Sequence, residues 1–279
     1  MRIAEVFGFG IENHAQEAWE GRNTKACPFK DTPCIKVSAT DPMGICSFSD
    51  GQAAAVVCPT RFLERNRIFK DAGRLAFGEG VQIAAFPEVR ILKIAGEDGQ
   101  RDRKIGKVDF LLGKVRDGRV IDFAALEVQA VYISGTTIRP SFDAYIATQG
   151  PSNSYVAEER RPDFRSSAQK RLVPQLQLKV PVFRRWGKKF FVVVDSQFFA
   201  ALPTFPKTSQ SNSELTWLSY PVEKDGVDYA MNDPDIIFSH WDDVANALRE
   251  GVPPEPEEII QELQTKLASK KKPPPMFET

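Results

Sequence analysis

The 279-residue sequence predicts an α/β (α+β) protein with a mixed central sheet flanked by helices and a small N-terminal four-cysteine module. Three observations support this fold class. Helix-like and strand-like stretches alternate between 59 and 200. Two apolar segments in that region meet at Asp117-Gly118, which is a strong signal for a tight hairpin turn. All four cysteines lie among turn-forming residues within 1–58, which predicts a separate metal-binding module there.

The core elements follow from local patterns. Thr60 is a good N-cap for a helix to about residue 72, and the apolar character of 81–94, 107–115 and 120–133 predicts strands. A mostly helical segment, interrupted by prolines, is expected at 167–186 and a buried strand at 188–199. The sequence predicts four regions: 1–58, the four-cysteine module; 59–200, the core; 201–267, an acidic extension of helices and loops; and 268–279, a disordered tail.

Composition excludes several classes of protein. With 42% hydrophobic and 10% aromatic residues, the chain can bury a large core, which excludes global disorder. No run approaches the roughly 18–20 apolar residues that span a bilayer. The first 20 residues contain four Glu and lack the basic start and apolar run of a signal peptide. We therefore expect a cytoplasmic protein with no membrane partner.

The predicted hairpin places two carboxylates near each other. A three-residue turn would pair Asp109 with Glu127, whereas a two-residue turn would pair Asp109 with Leu126 unless a bulge restores the offset. Glu127 and Gln129 are two residues apart and share one strand face. Because adjacent buried carboxylates need neutralisation, a divalent cation is the obvious partner. An exposed sheet face with a few polar side chains is the alternative interpretation.

These residues carry a family resemblance. Asp109, followed eighteen residues later by Glu127-x-Gln129, resembles the active-site pattern of the PD-(D/E)xK nucleases, with Val108 where that pattern has Pro and Gln129 where it has Lys. The change to Gln is the one that NotI-type type II restriction endonucleases show. The resemblance therefore implies a PD-(D/E)xK core.

The same resemblance implies roles for the residues. Asp109 and Glu127 would bind Mg²⁺, with the Val128 carbonyl as a further ligand. Gln129 would position the water or the phosphate, although it cannot supply the positive charge of a lysine. Glu88, on the preceding strand, would assist as an additional carboxylate.

The four cysteines form a second candidate site. Cys27, Cys34, Cys46 and Cys58 suit a tetrahedral metal ion, with two disulfides or inert buried thiols as alternatives. The opening Cys-Pro-Phe and the closing Cys-Pro-x-Arg-Phe resemble the N-terminal metal module of NotI-type enzymes. That resemblance implies structural iron, and zinc accepts the same four thiolates.

Neutral net charge conceals a strong asymmetry. Residues 160–191 contain ten Lys or Arg and one Asp, whereas 192–267 contain four Lys or Arg and fourteen Asp or Glu. Such asymmetry indicates an interaction surface, although two solvated faces would give the same pattern. Ser166 or Ser167 can cap the helix that the basic segment enters, and free N–H groups there would suit phosphate.

This segment resembles the region after the catalytic hairpin in NotI-type enzymes, so the resemblance extends over about 20–200. The DNA-binding candidates are Arg160, Arg161, Asp163, Arg165, Ser166, Ser167, Gln169, Lys170 and Arg171. Further along, Lys179, Arg184, Arg185, Lys188 and Lys189 fit either DNA contacts or a solvated helix face.

Together these features predict a type II restriction endonuclease that hydrolyses both strands of duplex DNA at a specific site with Mg²⁺. The resemblance also implies a homodimer on a palindromic site, because two-fold protein symmetry matches two-fold site symmetry. A non-catalytic DNA-binding protein with a structural four-cysteine site and a DNA repair nuclease are the alternatives.

Overall fold

The computed structural model describes residues 1–30, 32–36, 40–94, 103–134, 138–148, 161–249, 254–269 and 274–276. Met1–Leu248 forms one compact unit and Arg249–Thr279 a second. The strands are β1 Arg2–Val6, β2 Phe9–Gly10, β3 Ala26–Cys27, β4 Thr32–Pro33, β5 Ile45–Ser49, β6 Ala54–Val56, β7 Gln82–Ile94, β8 Arg103–Arg116, β9 Arg119–Val128, β10 Ile133–Ser134, β11 Arg161–Pro162, β12 Phe190–Asp195, β13 Leu215–Tyr220, β14 Val222–Asp225, β15 Asp228–Met231 and β16 Asp235–Ser239.

The helices are α1 Gln16–Thr24, α2 Arg67–Phe77, α3 Arg139–Thr148, α4 Phe164–Ser167, α5 Val173–Arg185, α6 Ser196–Ala200, α7 Trp241–Arg249 and α8 Pro256–Leu267. A 3₁₀ segment, Pro59–Asn66, precedes α2, and a π-helical turn, Ala168–Leu172, joins α4 to α5. No helix within the described ranges is long and apolar enough to cross a membrane.

A six-stranded mixed sheet is the centre of the first unit. Its order is β16-β13-β12-β9-β8-β7, with β9, β12 and β13 parallel to one another and the remaining pairs antiparallel. Helices α5 and α7 pack on one face through residues such as Leu176, Phe183 and Val244. Helix α2 packs on the other face through Ile68 and Ala72. The predicted mixed α+β architecture with flanking helices is confirmed.

The β8–β9 hairpin has the two-residue turn, with a bulge that restores the offset. Arg116 pairs with Arg119 across Asp117-Gly118, and both turn residues have positive φ, at 49° and 71°, as a type I′ turn requires. The register then shifts between Lys114 and Val115, which leaves Ile121 as the extra residue. Beyond the bulge Phe110 pairs with Leu126, so continuation of the ladder places Asp109 opposite Glu127.

The cysteines lie around a second, smaller sheet. Strands β2, β1, β5 and β6 form an antiparallel sheet in that order, and β3 pairs with β4 in a short hairpin that includes Cys27. Two glycines allow the surrounding loops to approach closely. A Cβ on Gly8 would lie 2.1 Å from the Pro28 side chain, and one on Gly44 would lie 2.4 Å from the Phe7 ring.

Two sequence expectations differ from the structure. The helix expected from Thr60 to residue 72 is instead a 3₁₀ segment that breaks at Glu64 and Arg65, followed by α2. Residues 201–267, expected to be helices and loops, contribute β13 and β16 to the central sheet. Strand β13 pairs in parallel with β12 along its whole length, so the core of the fold extends well past residue 200.

The second unit contains α8, an amphipathic helix with a proline in its first turn and the acidic residues Glu257 and Glu258 there. Ile259, Ile260, Leu263 and Leu267 recur at helical spacing on one side. Negative charge in the first turn interacts favourably with the positive end of the helix dipole and therefore stabilises the helix. Most of the tail predicted at 268–279 lies outside the described residues.

Candidate active site

The carboxylate pair of the β8–β9 hairpin lies where the two strands approach α5. Asp109 accepts a hydrogen bond at Oδ2 from the Val128 backbone N–H at 2.9 Å. Burial raises the pKa of Asp109, which the Val128 hydrogen bond and Lys179 partly oppose. The hairpin therefore brings together the two acids that the sequence predicted, and it fixes the first of them against the backbone beside the second.

Glu127 is buried, with 1% of the residue exposed. Burial and the negative charge of Asp109 raise its pKa to about 7, although Lys179 opposes this shift. The Glu127 Oε1 atom accepts from the Lys179 ammonium at 2.6 Å. The Glu127 Oε2 atom is buried and has no hydrogen-bond partner in the described structure. An unsatisfied buried carboxylate oxygen is unfavourable unless something else binds it.

Lys179 was expected either to contact DNA or to lie on a solvated helix face, but the structure buries it beside Glu127. Its side chain is 3% exposed and comes from α5, where its Nζ atom also donates to Gln175 Oε1 at 2.7 Å. It lies on the buried stripe of α5 between Leu176 and Phe183. A lysine at an apolar helical position must have a buried partner, and this was the signal that could have revealed it.

Gln129 follows β9 directly and is nearly buried. Its backbone N–H donates to the Val193 carbonyl at 2.9 Å, which extends the parallel pairing with β12. Its side-chain Nε2 donates to the Ala130 carbonyl at 2.5 Å. The amide therefore lies at the edge of the carboxylate pair without a charge of its own.

Glu88 occupies a different environment from the other two acids. It lies on β7 with a positive φ of 58°, at the position opposite Asp109 in the β7–β8 register. Its side chain is 70% exposed and pairs with Lys107 at 2.7 Å, which lowers the Glu88 pKa. Among the described residues, no three His, Cys, Asp or Glu side chains are arranged as a metal-binding group, so Glu88 does not join the carboxylate pair in such a group.

Asp109 lines two clefts. One, of about 820 Å³, is lined by Asp109, Val128, Gln129, Lys170 and Arg171 together with Lys36 and other residues of the N-terminal sheet region. The second, of about 640 Å³, is lined by Asp109 and Val128 with Glu88 and Lys30. Asp109 is therefore accessible from both sides, and basic residues border each cleft.

The basic segment is anchored beside the site by strand pairing. Strand β11 pairs antiparallel with β10, so Arg161 lies opposite Ser134, just after the Gln129 region. The Asp163 backbone N–H donates to the Tyr132 carbonyl at 2.8 Å. Arg165, Lys170 and Arg171 are exposed, and Arg171 lies over the Tyr132 ring at 4.6 Å. This arrangement places positive charge along the larger cleft.

Not every candidate in this segment faces the surface. Asp163, rather than a serine, caps α4 by accepting from the Ser166 N–H at 2.9 Å. Ser167 is fully buried and its hydroxyl accepts from the Tyr132 N–H at 2.8 Å, so it is a packing contact. Gln169 is exposed in the π-helical turn, Ser166 is partly exposed, and Arg160 lies outside the described residues.

The four cysteines are all free and line one pocket of about 580 Å³. Burial raises the pKa of Cys27, Cys34 and Cys46, while backbone amides oppose this shift at each sulfur. The Lys36 N–H, for example, approaches the Cys34 sulfur at 3.4 Å. Backbone N–H groups directed at sulfur favour the thiolate, but burial outweighs them, so the net pKa shift at these three cysteines favours the thiol. The structure does not show the predicted four-cysteine metal site, since no three Cys, His, Asp or Glu side chains among the described residues are arranged as a metal-binding group.

The carboxylate site fits its expected ion. Oxygen atoms of Asp109 and Glu127 are the hard ligands that Mg²⁺ prefers, and the unpartnered Glu127 Oε2 is a donor that nothing in the described structure satisfies. Comparison with known families gives one match: the model described as "Restriction endonuclease NotI" matches residues 14–230. A comparison with curated proteins found no match. The matched range includes the cysteines, the carboxylate pair and the basic segment.

Proposed function

Because the chain belongs to the NotI restriction endonuclease family, and is therefore a type II site-specific deoxyribonuclease, we propose that it cleaves both strands of duplex DNA by Mg²⁺-dependent hydrolysis at the β8–β9 carboxylates. The observation that carries this assignment is the pair of partly buried Asp109 and buried Glu127, with one Glu127 oxygen unpartnered, beside a cleft that Asp109, Lys170 and Arg171 line. The protein would act in the cytoplasm, on DNA.

Each residue of the site has a definite task in this proposal. Asp109 and Glu127 bind Mg²⁺, with the Val128 carbonyl beside them, in a core of the PD-(D/E)xK type. The bound ion would supply Lewis-acid activation of water and neutralise charge on the scissile phosphate. Gln129 positions the water or the phosphate through its amide. Glu88 assists from the rim, which requires its side chain to leave Lys107.

The basic segment holds the DNA. Lys170 and Arg171 line the larger cleft, and the exposed Arg161, Arg165 and Gln169 lie in the same segment, so together they can contact phosphates and base edges. The described part of the chain contains one such carboxylate pair, so two chains are needed to cut two strands at once. We therefore include a homodimer on a palindromic site in the proposal.

We also propose that Cys27, Cys34, Cys46 and Cys58 hold a structural iron ion, or zinc in its place. The support is their common pocket and the backbone amides directed at their sulfur atoms. Metal analysis of the folded, purified protein should find about one such ion per chain. Folded protein without any metal would contradict this assignment.

The decisive experiment for the active site is digestion of long duplex DNA by wild-type protein and by Glu127→Ala in Mg²⁺. Wild type should give discrete fragments. Loss of a metal ligand should reduce the single-turnover rate at least about a hundredfold, since even outer-shell changes lower activity by 10–100-fold. Glu79→Ala, which removes an exposed acid after α2, is the control and should cut normally.

Cleavage by Glu127→Ala at the wild-type rate would show that the active site lies elsewhere. No cleavage by the wild type on DNA of diverse sequence would contradict the catalytic function. Smearing, or cutting only at junctions, would favour a repair nuclease instead.

A further inference from the structure

Helix α5 delivers a buried positive charge to the carboxylate site. Lys179 lies 2.6 Å from Glu127 Oε1 and both side chains are almost fully buried, at 3% and 2% exposure. Its second hydrogen bond, to Gln175 Oε1 at 2.7 Å, comes from one turn earlier on the same helix and fixes the direction of the ammonium group. Two hydrogen bonds, to Glu127 and to Gln175, therefore fix the orientation of the Lys179 ammonium group.

The ion pair leaves the two oxygens of Glu127 in different states. Oε1 is satisfied by Lys179, whereas Oε2 is buried without a partner. A hydrogen bond to one oxygen restricts rotation of the carboxylate, so it also fixes the direction in which the other oxygen points. The neighbouring acid is Asp109, which lies opposite Glu127 in the hairpin register and accepts a hydrogen bond from the adjacent Val128 N–H at 2.9 Å.

The pair also explains how the site can operate with a neutral residue at position 129. Gln129 has no charge, and its Nε2 donates to the Ala130 carbonyl rather than to either acid. A buried carboxylate beside a partly buried one, without any compensating charge, would be unfavourable. Lys179 is the buried cation that the described structure places against Glu127.

We propose that Lys179 is the positioning residue of the active site: it holds Glu127 by Oε1, presents Oε2 to the divalent cation beside Asp109, and provides from α5 the positive charge that Gln129 lacks. The inference rests on the proposed function, since it takes Glu127 as a metal ligand. The alternative is an ion pair that stabilises the fold and has no effect on metal binding once the protein is folded.

The test is direct titration of the folded, full-length protein with Mn²⁺, followed by electron paramagnetic resonance of the free ion. Lys179→Met should weaken Mn²⁺ binding at the carboxylates by about 10–100-fold, the range found for outer-shell partners of metal ligands. Lys179→Arg, which keeps the charge and the donors, should bind more tightly than Lys179→Met. Arg185→Met removes an exposed charge from the same helix and is the matched control.

A purely structural ion pair would lower the melting temperature of Lys179→Met but leave Mn²⁺ affinity unchanged in the protein that remains folded. That result would overturn the proposal, as would tighter Mn²⁺ binding, which would make Lys179 a competitor of the metal. If Lys179→Met does not fold, Gln175→Leu decides: it keeps the ion pair but removes the second contact of Lys179. Unchanged Mn²⁺ affinity in Gln175→Leu would then reject the proposal.

Cleavage assays separate this inference from the proposed function. If Glu127→Ala is inactive and binds Mn²⁺ weakly while Lys179→Met matches wild type in both measurements, the active site stands and the role of Lys179 is rejected. If Glu127→Ala cleaves and binds Mn²⁺ normally, the proposed function fails first. Partial recovery of Mn²⁺ binding and cleavage in Lys179→Met/Gln129→Lys would add support, because a lysine at the motif position would replace the lost charge.

Discussion

Two buried acids lie toward the carboxyl ends of neighbouring parallel strands, Glu127 on β9 and Asp195 on β12. Burial raises the pKa of each to about 7. Their contacts differ, however. Asp195 accepts from the Phe198 N–H at 2.8 Å and from the Val56 N–H at 3.1 Å, so both of its oxygens are satisfied. Glu127 retains an unpartnered oxygen. Asp195 therefore caps α6 and is hydrogen-bonded to β6, whereas Glu127 is available to bind a metal ion.

Asp195 should make stability depend on pH. Its folded pKa of about 7 lies above its ordinary value of 3.8, so the folded chain keeps a proton that the unfolded chain releases. The stabilisation from this group is complete below pH 3.8 and is lost as the pH rises to about 7. Asp195→Asn keeps an acceptor for the α6 cap but cannot ionise, so its stability relative to wild type should rise as the pH increases from 3.8 to about 7 and then level off.

Urea unfolding at several pH values measures this difference. The relative gain should approach a few kcal/mol at most, since one pKa unit corresponds to about 1.4 kcal/mol. Glu127 has the same raised pKa in both proteins and cancels from the comparison. Asp235→Asn, an exposed acid on β16, is the control. A free-energy difference between Asp195→Asn and wild type that does not change with pH would contradict the assignment.

Single residues were predictable where a motif carried them. Asp109, Glu127 and Gln129 were identified from spacing and resemblance, and the hairpin brings the two acids together. For Lys179 the sequence suggested a DNA contact or a solvated face, and its pairing with Glu127 was missed, because the two residues are fifty-two apart in sequence and Lys179 belongs to no motif. Its partner is fixed only when α5 packs on the sheet. A local sequence pattern cannot identify a partner that is distant in the chain. A charged residue on the apolar stripe of a helix does indicate that it has a buried partner of opposite charge.

At the level of elements, the β8–β9 hairpin was predicted in its essentials. The Asp-Gly turn and the alternative of a two-residue loop with a corrective bulge both came from sequence, and the structure has that arrangement. Strand β13 was missed because prolines on either side indicated a loop. Its six residues are all buried and lie between two strands, a position where tertiary packing outweighs local signals.

The bulge in the β8–β9 hairpin allows a test of whether strand register holds the site together. Ile121 is the extra residue on β9, so its deletion leaves a regular ladder in which Lys114 still pairs with Asp122 and Asp109 still faces Glu127. We expect the Ile121 deletion to fold and to cleave DNA within about tenfold of wild type, since the packing at the site is unchanged. Cleavage kinetics and circular dichroism measure the two outcomes.

Deletion of Ala125 is the matched comparison, because it removes one residue between the bulge and the site. Either Glu127 slips to face Phe110, or residues 121–124 all exchange faces to absorb the change. Activity should be lost in both cases. Equal tolerance of the two deletions would show that the register of the hairpin does not hold the site together.

At the scale of the whole molecule, the two halves of the basic segment 160–191 differ in whether their charges are exposed or paired with acidic residues. Its first half, with Arg161, Arg165, Lys170 and Arg171, is exposed, and Lys170 and Arg171 line the cleft that Asp109 also lines. Its second half is largely neutralised within the fold: Arg184 pairs with Glu214 at 2.8 Å, and Lys188 pairs with Asp122 at 2.5 Å. The acidic region therefore compensates part of the basic block, a division that sequence could not reveal because the pairs are distant in the chain.

This division predicts which residues set the salt dependence of DNA binding. Affinity for duplex DNA, measured by fluorescence anisotropy with Ca²⁺ in place of Mg²⁺, should fall steeply as salt rises. The slope of log affinity against log salt decreases by about 0.9 for each phosphate contact removed. Lys170→Gln/Arg171→Gln should therefore lower the slope by about two, whereas Arg184→Gln, which removes a charge already paired with Glu214, should leave it unchanged. A flat salt dependence in the wild type, or equal effects of the two changes, would exclude the larger cleft as the DNA-binding surface.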